Sequence, residues 1–324
     1  MKRKGDFLRG PWMAAVIVVF LAGAILWSAV NLLKEEDKKL MYRVSVVVED
    51  SGSERWTAFR LGVEQAAREY GMDVTFAATG SFEKTEDQKN LIGQEIQSGT
   101  QALILSVFDS EQAGVLLEGV PSGMQVIFAE TDGIRPEGPD LAAVTAPGRD
   151  MGRDLGKMLL GAGVEEPSVA VITRRKERYL EREVLEGLTE TVKAAGGSLL
   201  VMSEGEEDLD TLLTLAGNRD LIAVLDDGLL VKAGTLMEES GRRKGKLYGI
   251  GCSPSAVSLL EGGTVSGMVI PNEFTMGYQS MAQLSKRMSK DLPALSDIQV
   301  GYACVKTENV HDPDMEKLLF PLVQ

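Results

Sequence analysis

The stretch RVSVVVEDSGSERWTAFRLGVEQAAREYGMDVTFAA, residues 43–78, decides the fold. Its first six residues are a β-branched run that reads as a buried strand. Residues 53–70 follow with helical spacing, placing Ala58, Leu61, Ala66 and Ala67 on an apolar face, and Gly71 supplies the stop. Residues 72–78 return to a strand. Strand, helix and strand in so short a span predict a βαβ unit, and βαβ units build parallel sheets.

The rhythm continues outward from this unit. A helix is expected over 85–97, a strand over 102–107, a helix over 110–118, and strands over 125–129 and 141–145. It then restarts: helices over 150–160, 180–195, 209–216, 229–239, 255–261 and 277–289 alternate with strands over 168–173, 198–202, 221–225, 246–250 and 265–270. Residues 298–305 read as one final strand. Two such series predict an α/β protein of two doubly wound parallel-sheet lobes. Ligands of such sheets sit beyond the carboxyl ends of the strands. Here those ends are polar: Glu49-Asp50, Asp109, Glu130-Thr131, Arg174-Arg175, Asp226-Asp227 and Cys252-Ser253.

Upstream lies a different kind of sequence. Residues 12–33, WMAAVIVVFLAGAILWSAVNLL, carry no charge. A helix of that length rises about 33 Å, enough for a hydrocarbon core of about 30 Å. Lys2, Arg3, Lys4 and Arg9 precede it, so residues 1–11 read as a cytoplasmic tail and the body as extracytoplasmic. The competing reading is a cleaved signal peptide, for which Ala22-Gly23-Ala24 has the right small residues. Apolar sequence running on past that point favours an uncleaved single-pass anchor. Residues 34–42 read as a charged linker.

Charge and composition narrow the function. The 324 residues carry a net charge of −14, and the basic tail leaves −17 on residues 34–324. Nucleic acid, which needs a basic footprint, is excluded as a partner. One histidine, His311, and two cysteines, Cys252 and Cys304, provide no metal-ligand spacing. No GxxxxGK[ST] is present, and Pro254 breaks the pattern that begins Gly249-x-Gly251. No cofactor, metal site or catalytic set is expected. An enzyme on this architecture would have to rely on carboxylates such as Asp226-Asp227.

Five stretches resemble the periplasmic sugar-binding proteins of the ribose-binding type, which share their fold with the ligand domains of lactose-repressor-like regulators. They are residues 43–71, ALILSVFDSEQAGVLLE at 102–118, VLDDGLLVKAG at 224–234, LYGIGCSPSAVSLLEGGTVSGMVIPNEFTMGYQSM at 247–281 and VGYACVKTENVHDP at 300–313. The resemblance implies two lobes joined by a three-crossing hinge, near 145–148, 270–272 and 299–301. Residues 43–145 plus 272–299 would form one lobe, and 146–271 plus 300–324 the other. It implies a small sugar-like or other polar solute, trapped by hinge closure and presented to an ABC-type permease or a sensor histidine kinase. A purely sensory ectodomain with a degenerate sugar site is the nearest alternative.

The family's polar site is only partly matched. Its pair of stacking aromatics falls on Arg55-Trp56, and its Asp-Arg pair after the fourth strand on Glu130-Thr131. Its asparagine before an aspartate falls on Asp226, and its helix arginine on Val184, with Arg182 nearby. Gly251 replaces the aspartate of its Gly-Phe-Asp pattern. Each missing group would bond a sugar hydroxyl. With the strand ends, this nominates Asp50, Ser51, Arg55, Trp56, Asp109, Glu130, Thr131, Arg182, Asp226, Ser253 and Asn272 as ligand-binding residues. Trp56 is balanced between lining a pocket and filling the core. Singly, the strand-end acids also suit helix caps. Arg174, Arg175, Lys176, Arg178 and Arg182 form a basic cluster in the acidic body. They read as a solvated face paired with Glu177, Glu181 and Glu183, although guanidinium forks of this kind also suit a carboxylate or phosphate.

Overall fold

The computed structural model describes residues 42–130, 137–174, 178–205, 207–241 and 246–313, together with Phe20, Leu21, Gly23, Ala24, Trp27 and Ser28. Those six positions are helical and exposed, but the rest of the 12–33 run lies outside the described residues, as do residues 1–11 and most of the 34–42 linker. Among the described residues, no helix is long and apolar enough to cross a membrane.

From Tyr42 onward the chain forms two six-stranded sheets. The first contains β1 (Arg43–Val47), β2 (Asp73–Phe76), β3 (Ala102–Ser106), β4 (Gln125–Ala129), β5 (Leu141–Thr145) and β11 (Ile298–Gln299), in the order β11-β5-β4-β3-β1-β2. The second contains β6 (Ser168–Thr173), β7 (Ser198–Ser203), β8 (Leu221–Val224), β9 (Leu247–Ile250), β10 (Val265–Pro271) and β12 (Tyr302–Val305), in the order β12-β10-β9-β8-β6-β7. All pairings are parallel except β10 with β12, which is antiparallel. The chain passes between the sheets three times: after β5, after β10 and after β11.

The helices are α1 (Thr57–Tyr70), α2 (Thr85–Gln97), α3 (Ala113–Leu116), α4 (Gly148–Leu160), α5 (Tyr179–Ala194), α6 (Leu209–Ala216), α7 (Asp227–Glu239), α8 (Pro254–Glu261) and α9 (Glu273–Met288). Alternation along the strands feeds both faces of each sheet. In β1, Val44 and Val46 pack with Phe59, Val63 and Ala66. Val47 points the other way, towards Ile92, Leu103 and Leu116. In β6, Val169 and Val171 meet Leu155 and Leu188, whereas Ala170 and Ile172 meet Leu212 and Leu230.

Some expectations are corrected in detail. The buried stripe of α1 is Phe59, Gly62, Val63, Ala66 and Ala67; Ala58 and Leu61 lie only at its margins. Residues 54–56 and 110–112 are 3-10 turns preceding α1 and α3. The final strand is two. Val300 N donates to Thr145 O and Asn272 N donates to Gly301 O, so the chain changes sheets inside 298–305.

Two helix pairs are locked by glycine. A Cβ on Gly62 of α1 would lie 2.0 Å from Phe274 O, and one on Gly277 of α9 would lie 2.1 Å from Phe59 O. In the second lobe, a Cβ on Gly152 of α4 would meet Val184 O at 2.0 Å, and one on Gly187 of α5 would meet Arg149 O at 2.0 Å. Each pair of helices touches backbone to backbone because both glycines lack a side chain.

Candidate functional site

A cavity of about 400 Å³ lies where the loops following β1, β6 and β8 face each other. The first sheet contributes Glu49, Asp50, Ser53, Arg55, Trp56 and Thr79; the second contributes Arg174, Arg178, Asp226, Gly228 and Lys232. Local sequence explains how these side chains are presented. Ser53 caps the 3-10 turn that carries Arg55 and Trp56. Asp226 caps α7, accepting from Leu229 N at 2.9 Å. Asp50 and Glu130 sit at φ values of 46° and 63°, so the chain turns sharply at each strand end.

Charge dominates the cleft. Arg178, at the start of α5, pairs with Glu49 of the opposite lobe and lies 4.0 Å from Asp226. Arg174 approaches Asp226 at 3.3 Å, and Asp50 and Glu204 at 3.8 Å each. Burial works against the Asp226 anion, but Arg174 and Arg178 outweigh it and hold this carboxyl below its ordinary value. Arg55 pairs with Glu130 and lies 3.8 Å from Glu273. Glu130 also accepts from Ser106 Oγ at 3.1 Å.

Trp56 serves both roles between which the sequence left it balanced. It is 2% exposed, its Nε1 donates to Glu49 O at 2.8 Å, and its ring meets Phe59 edge-on at 5.5 Å. It also lines the cavity. The Arg55 guanidinium carbon lies 4.1 Å from its ring centroid, covering one face of the indole.

Of the nominated residues, the structure gathers Asp50, Arg55, Trp56, Glu130 and Asp226 about this cleft, Glu130 in a smaller recess beneath it. It uses the others differently. Ser51 is consumed by Thr79, whose N donates to Ser51 Oγ at 3.0 Å while Ser51 N donates to Thr79 Oγ1. Asp109 caps the turn at 110–112, Ser253 caps α8 and Asn272 caps α9. Arg182 lies over Tyr179 and pairs with Glu111 at 3.5 Å, away from the cavity. Thr131 lies outside the described residues, as do Arg175, Lys176 and Glu177.

The basic cluster is the main revision. Arg174 and Arg178 point into the cleft rather than along a solvated face, and their partners Glu49, Asp50 and Asp226 are distant in sequence. Glu181 accepts from Arg174 N at 3.0 Å. Further cross-lobe contacts surround the cavity: Tyr179 N donates to Ser110 Oγ at 2.8 Å, and Ser255 Oγ donates to Glu54 Oε2 at 2.6 Å.

Behind the cavity, Asp227 Oδ1 accepts from the backbone N–H groups of Cys252 and Ser253. Burial, with Asp227 and Glu273 beside it, pushes the Cys252 thiol well above its ordinary value. Cys252 and Cys304 are both free. Glu273, the first residue of α9, is 2% exposed, and neither of its carboxyl oxygens has a hydrogen bond. Burial first, then Glu130 and Asp227, push it up to about 8, against the pull of Arg55. The folded protein therefore keeps a proton that the unfolded chain releases near pH 4.5. Stability from this group is full below that pH and is lost as pH rises towards about 8. Glu273→Gln should gain on the parent over this window, by ~2 kcal/mol at pH 8.5. Denaturant midpoints at pH 4.5 and 8.5 test it; an equal difference at both pH values would refute it.

The periplasmic binding protein domain matches residues 44–291. A search of curated protein sequences finds no match. Among solved structures, a carbohydrate transporter solute-binding protein from Agrobacterium radiobacter in complex with D-arabinose is 18% identical, with a TM-score of 0.75 over 87% of this chain and 100% of that one. GanP, a glucose-galactose binding protein from Geobacillus stearothermophilus, is 17% identical, with a TM-score of 0.69 over 84% and 100%. A XylFII-LytSN complex is also similar, at 16% identity and a TM-score of 0.69, over 84% of this chain and 100% of that one. At these identities the likeness is one of fold.

Proposed function

The chain belongs to the periplasmic binding protein family, and from that premise we propose that it is a membrane-anchored, extracytoplasmic solute-binding protein. It takes one small, hydroxyl-rich solute between its lobes, closes about the three crossings and presents the closed form to a membrane partner. Residues 12–33 hold it at the membrane. Its lobes divide near 145–148, 270–272 and 299–301, a division supported by the changes of sheet after β5, β10 and β11.

One observation carries this reading. A solute-sized cavity is walled by side chains of both lobes, and ion pairs Arg178–Glu49 and Arg174–Asp50 run across it. A ligand in that position contacts both halves at once, which couples its binding to closure. The sugars named for the fold neighbours, D-arabinose, glucose and galactose, support a carbohydrate-sized solute. The partner is an ABC-type permease or a sensor kinase; the neighbour seen in a XylFII-LytSN complex supports a protein partner for this scaffold. The raised Cys252 thiol and the backbone bonds held by Asp226 and Asp227 support capture over covalent chemistry.

A thermal-shift screen of the full chain in detergent against monosaccharides and their acid and phosphate derivatives tests the proposal. A ligand at one hundred times its Kd stabilises by about 2.7 kcal/mol, raising the Tm by about 5–10 °C. The ligand should be recovered chemically unchanged. A panel without any shift, or a ligand returned as product, would count against it.

A further inference from the structure

The cleft also carries information about the charge of its solute, given the reading of it as a solute site. Its lining pairs four cations, Arg55, Arg174, Arg178 and Lys232, with three carboxylates, Glu49, Asp50 and Asp226. A positive excess here stands out in a chain of net charge −14.

The two signs are not equally satisfied. Each carboxylate already has a neutral donor: Phe82 N gives to Glu49 at 3.1 Å, Ser81 Oγ to Asp50 at 3.0 Å and Leu229 N to Asp226 at 2.9 Å. Each guanidinium, though ion-paired, keeps one nitrogen without a hydrogen bond. Arg55 Nη1, Arg174 Nε and Arg178 Nε are buried with no hydrogen-bond partner. Buried donors left unmade are costly, and these three stand on residues of a cavity whose lining carries one more cation than carboxylates. Gly228 makes room for this arrangement: a Cβ there would lie 3.0 Å from Arg174 Nη2.

A neutral sugar fits the cleft less well. Sugar rings commonly lie on an aromatic face, but Arg55 occupies a face of Trp56. A carboxylate or phosphate, by contrast, matches the guanidinium fork. We propose that the solute is an anionic sugar, a polyol carrying one carboxylate or phosphate, held by Arg174, Arg178 and Lys232. The anionic group shares Arg174 and Arg178 with Asp50 and Glu49, so the ligand adds to the protein's own cross-lobe ion pairs.

Calorimetric titration of the full chain in detergent decides this. The probes are D-galacturonate against D-galactose, D-gluconate against D-glucose, and D-ribose 5-phosphate against D-ribose. At least one anionic probe should bind tenfold or more tightly than its neutral counterpart, and lose affinity as salt is raised. The preferred probe distinguishes carboxylate from phosphate. Arg174→Gln should weaken that probe at least tenfold and weaken the neutral sugar by a smaller factor. Lys232 is well exposed, so Lys232→Gln leaves folding intact and should weaken the anion about threefold or more. Neutral sugars binding as well as the anions, or an anion affinity indifferent to both substitutions, would overturn the inference while leaving solute capture standing. If no probe of either kind binds, both readings fall.

Discussion

Replacing Arg55 with methionine should destabilise the folded protein by about 3–5 kcal/mol, the range for removing one partner of a buried ion pair. The methionine keeps most of the packing volume against Trp56 but removes the cation that reaches both Glu130 and Glu273. Those carboxyls are 7% and 2% exposed, so neither can turn to water for compensation. Burial works against the charge on Arg55, yet Glu130 and Glu273 hold its pKa well above the ordinary value. The penalty should be smaller at pH 5, where Glu273 holds its proton, than at pH 8, where it begins to ionise beside Arg55. The double substitution Arg55→Met with Glu130→Gln should recover much of the loss. Denaturant unfolding of the four proteins at pH 5 and pH 8 measures this as a cycle. A single-variant loss below about 1 kcal/mol would mean that water screens the cluster.

Gly152→Ala is expected to be nearly as damaging. The new methyl would stand 2.0 Å from Val184 O and 2.9 Å from Leu188 N, both backbone atoms. No rotamer relieves that contact; α4 and α5 must separate, opening packing around Leu155, Val184 and Leu188. A loss of about 3 kcal/mol is the scale for overpacking a well-filled core. Gly93 is the internal control. It lies within α2 and a Cβ there meets nothing within 4 Å, so Gly93→Ala should stabilise by about 0.5–1 kcal/mol. Thermal unfolding of both variants tests the contrast, and equal shifts would contradict the close-contact account.

Much of this architecture is legible in the sequence because buried parallel strands and amphipathic helices announce themselves by period. The elements at Thr85–Gln97, Gln125–Ala129, Leu141–Thr145 and Leu209–Ala216 fall where their patterns place them. Residues 298–305 were not separable, because two short strands joined in one apolar run look like one strand. Their division depends on backbone pairing with Thr145 and Asn272.

The cleft was less legible, for a chemical reason. Serine, aspartate and asparagine at a strand end suit a ligand and a helix cap equally well. Asp109, Ser253 and Asn272 are caps; Asp226 is a cap that also faces the cavity. Arg174 and Arg178 were obscured by acidic neighbours in sequence, while their partners come from loops far away in the chain. Glu273 gives no local signal at all, since a glutamate opening a helix is ordinary until Glu130, Arg55 and Asp227 close around it.

The reciprocal glycine contacts also bear on the order of assembly. In the second lobe the locked helices, α4 and α5, are consecutive in the chain, so their contact can form as soon as Ala194 has emerged. In the first lobe the same contact joins α1 to α9, and α9 ends at Met288. Chains emerge amino-terminus first, and contacts between distant segments form slowly. The lobe nearer the amino terminus should therefore be the later to close, leaving the apolar stripe of Phe59, Val63 and Ala66 exposed until nearly the whole chain has been delivered. A nascent chain stalled before Glu273 would carry that stripe uncovered, making this early segment the one most in need of a chaperone.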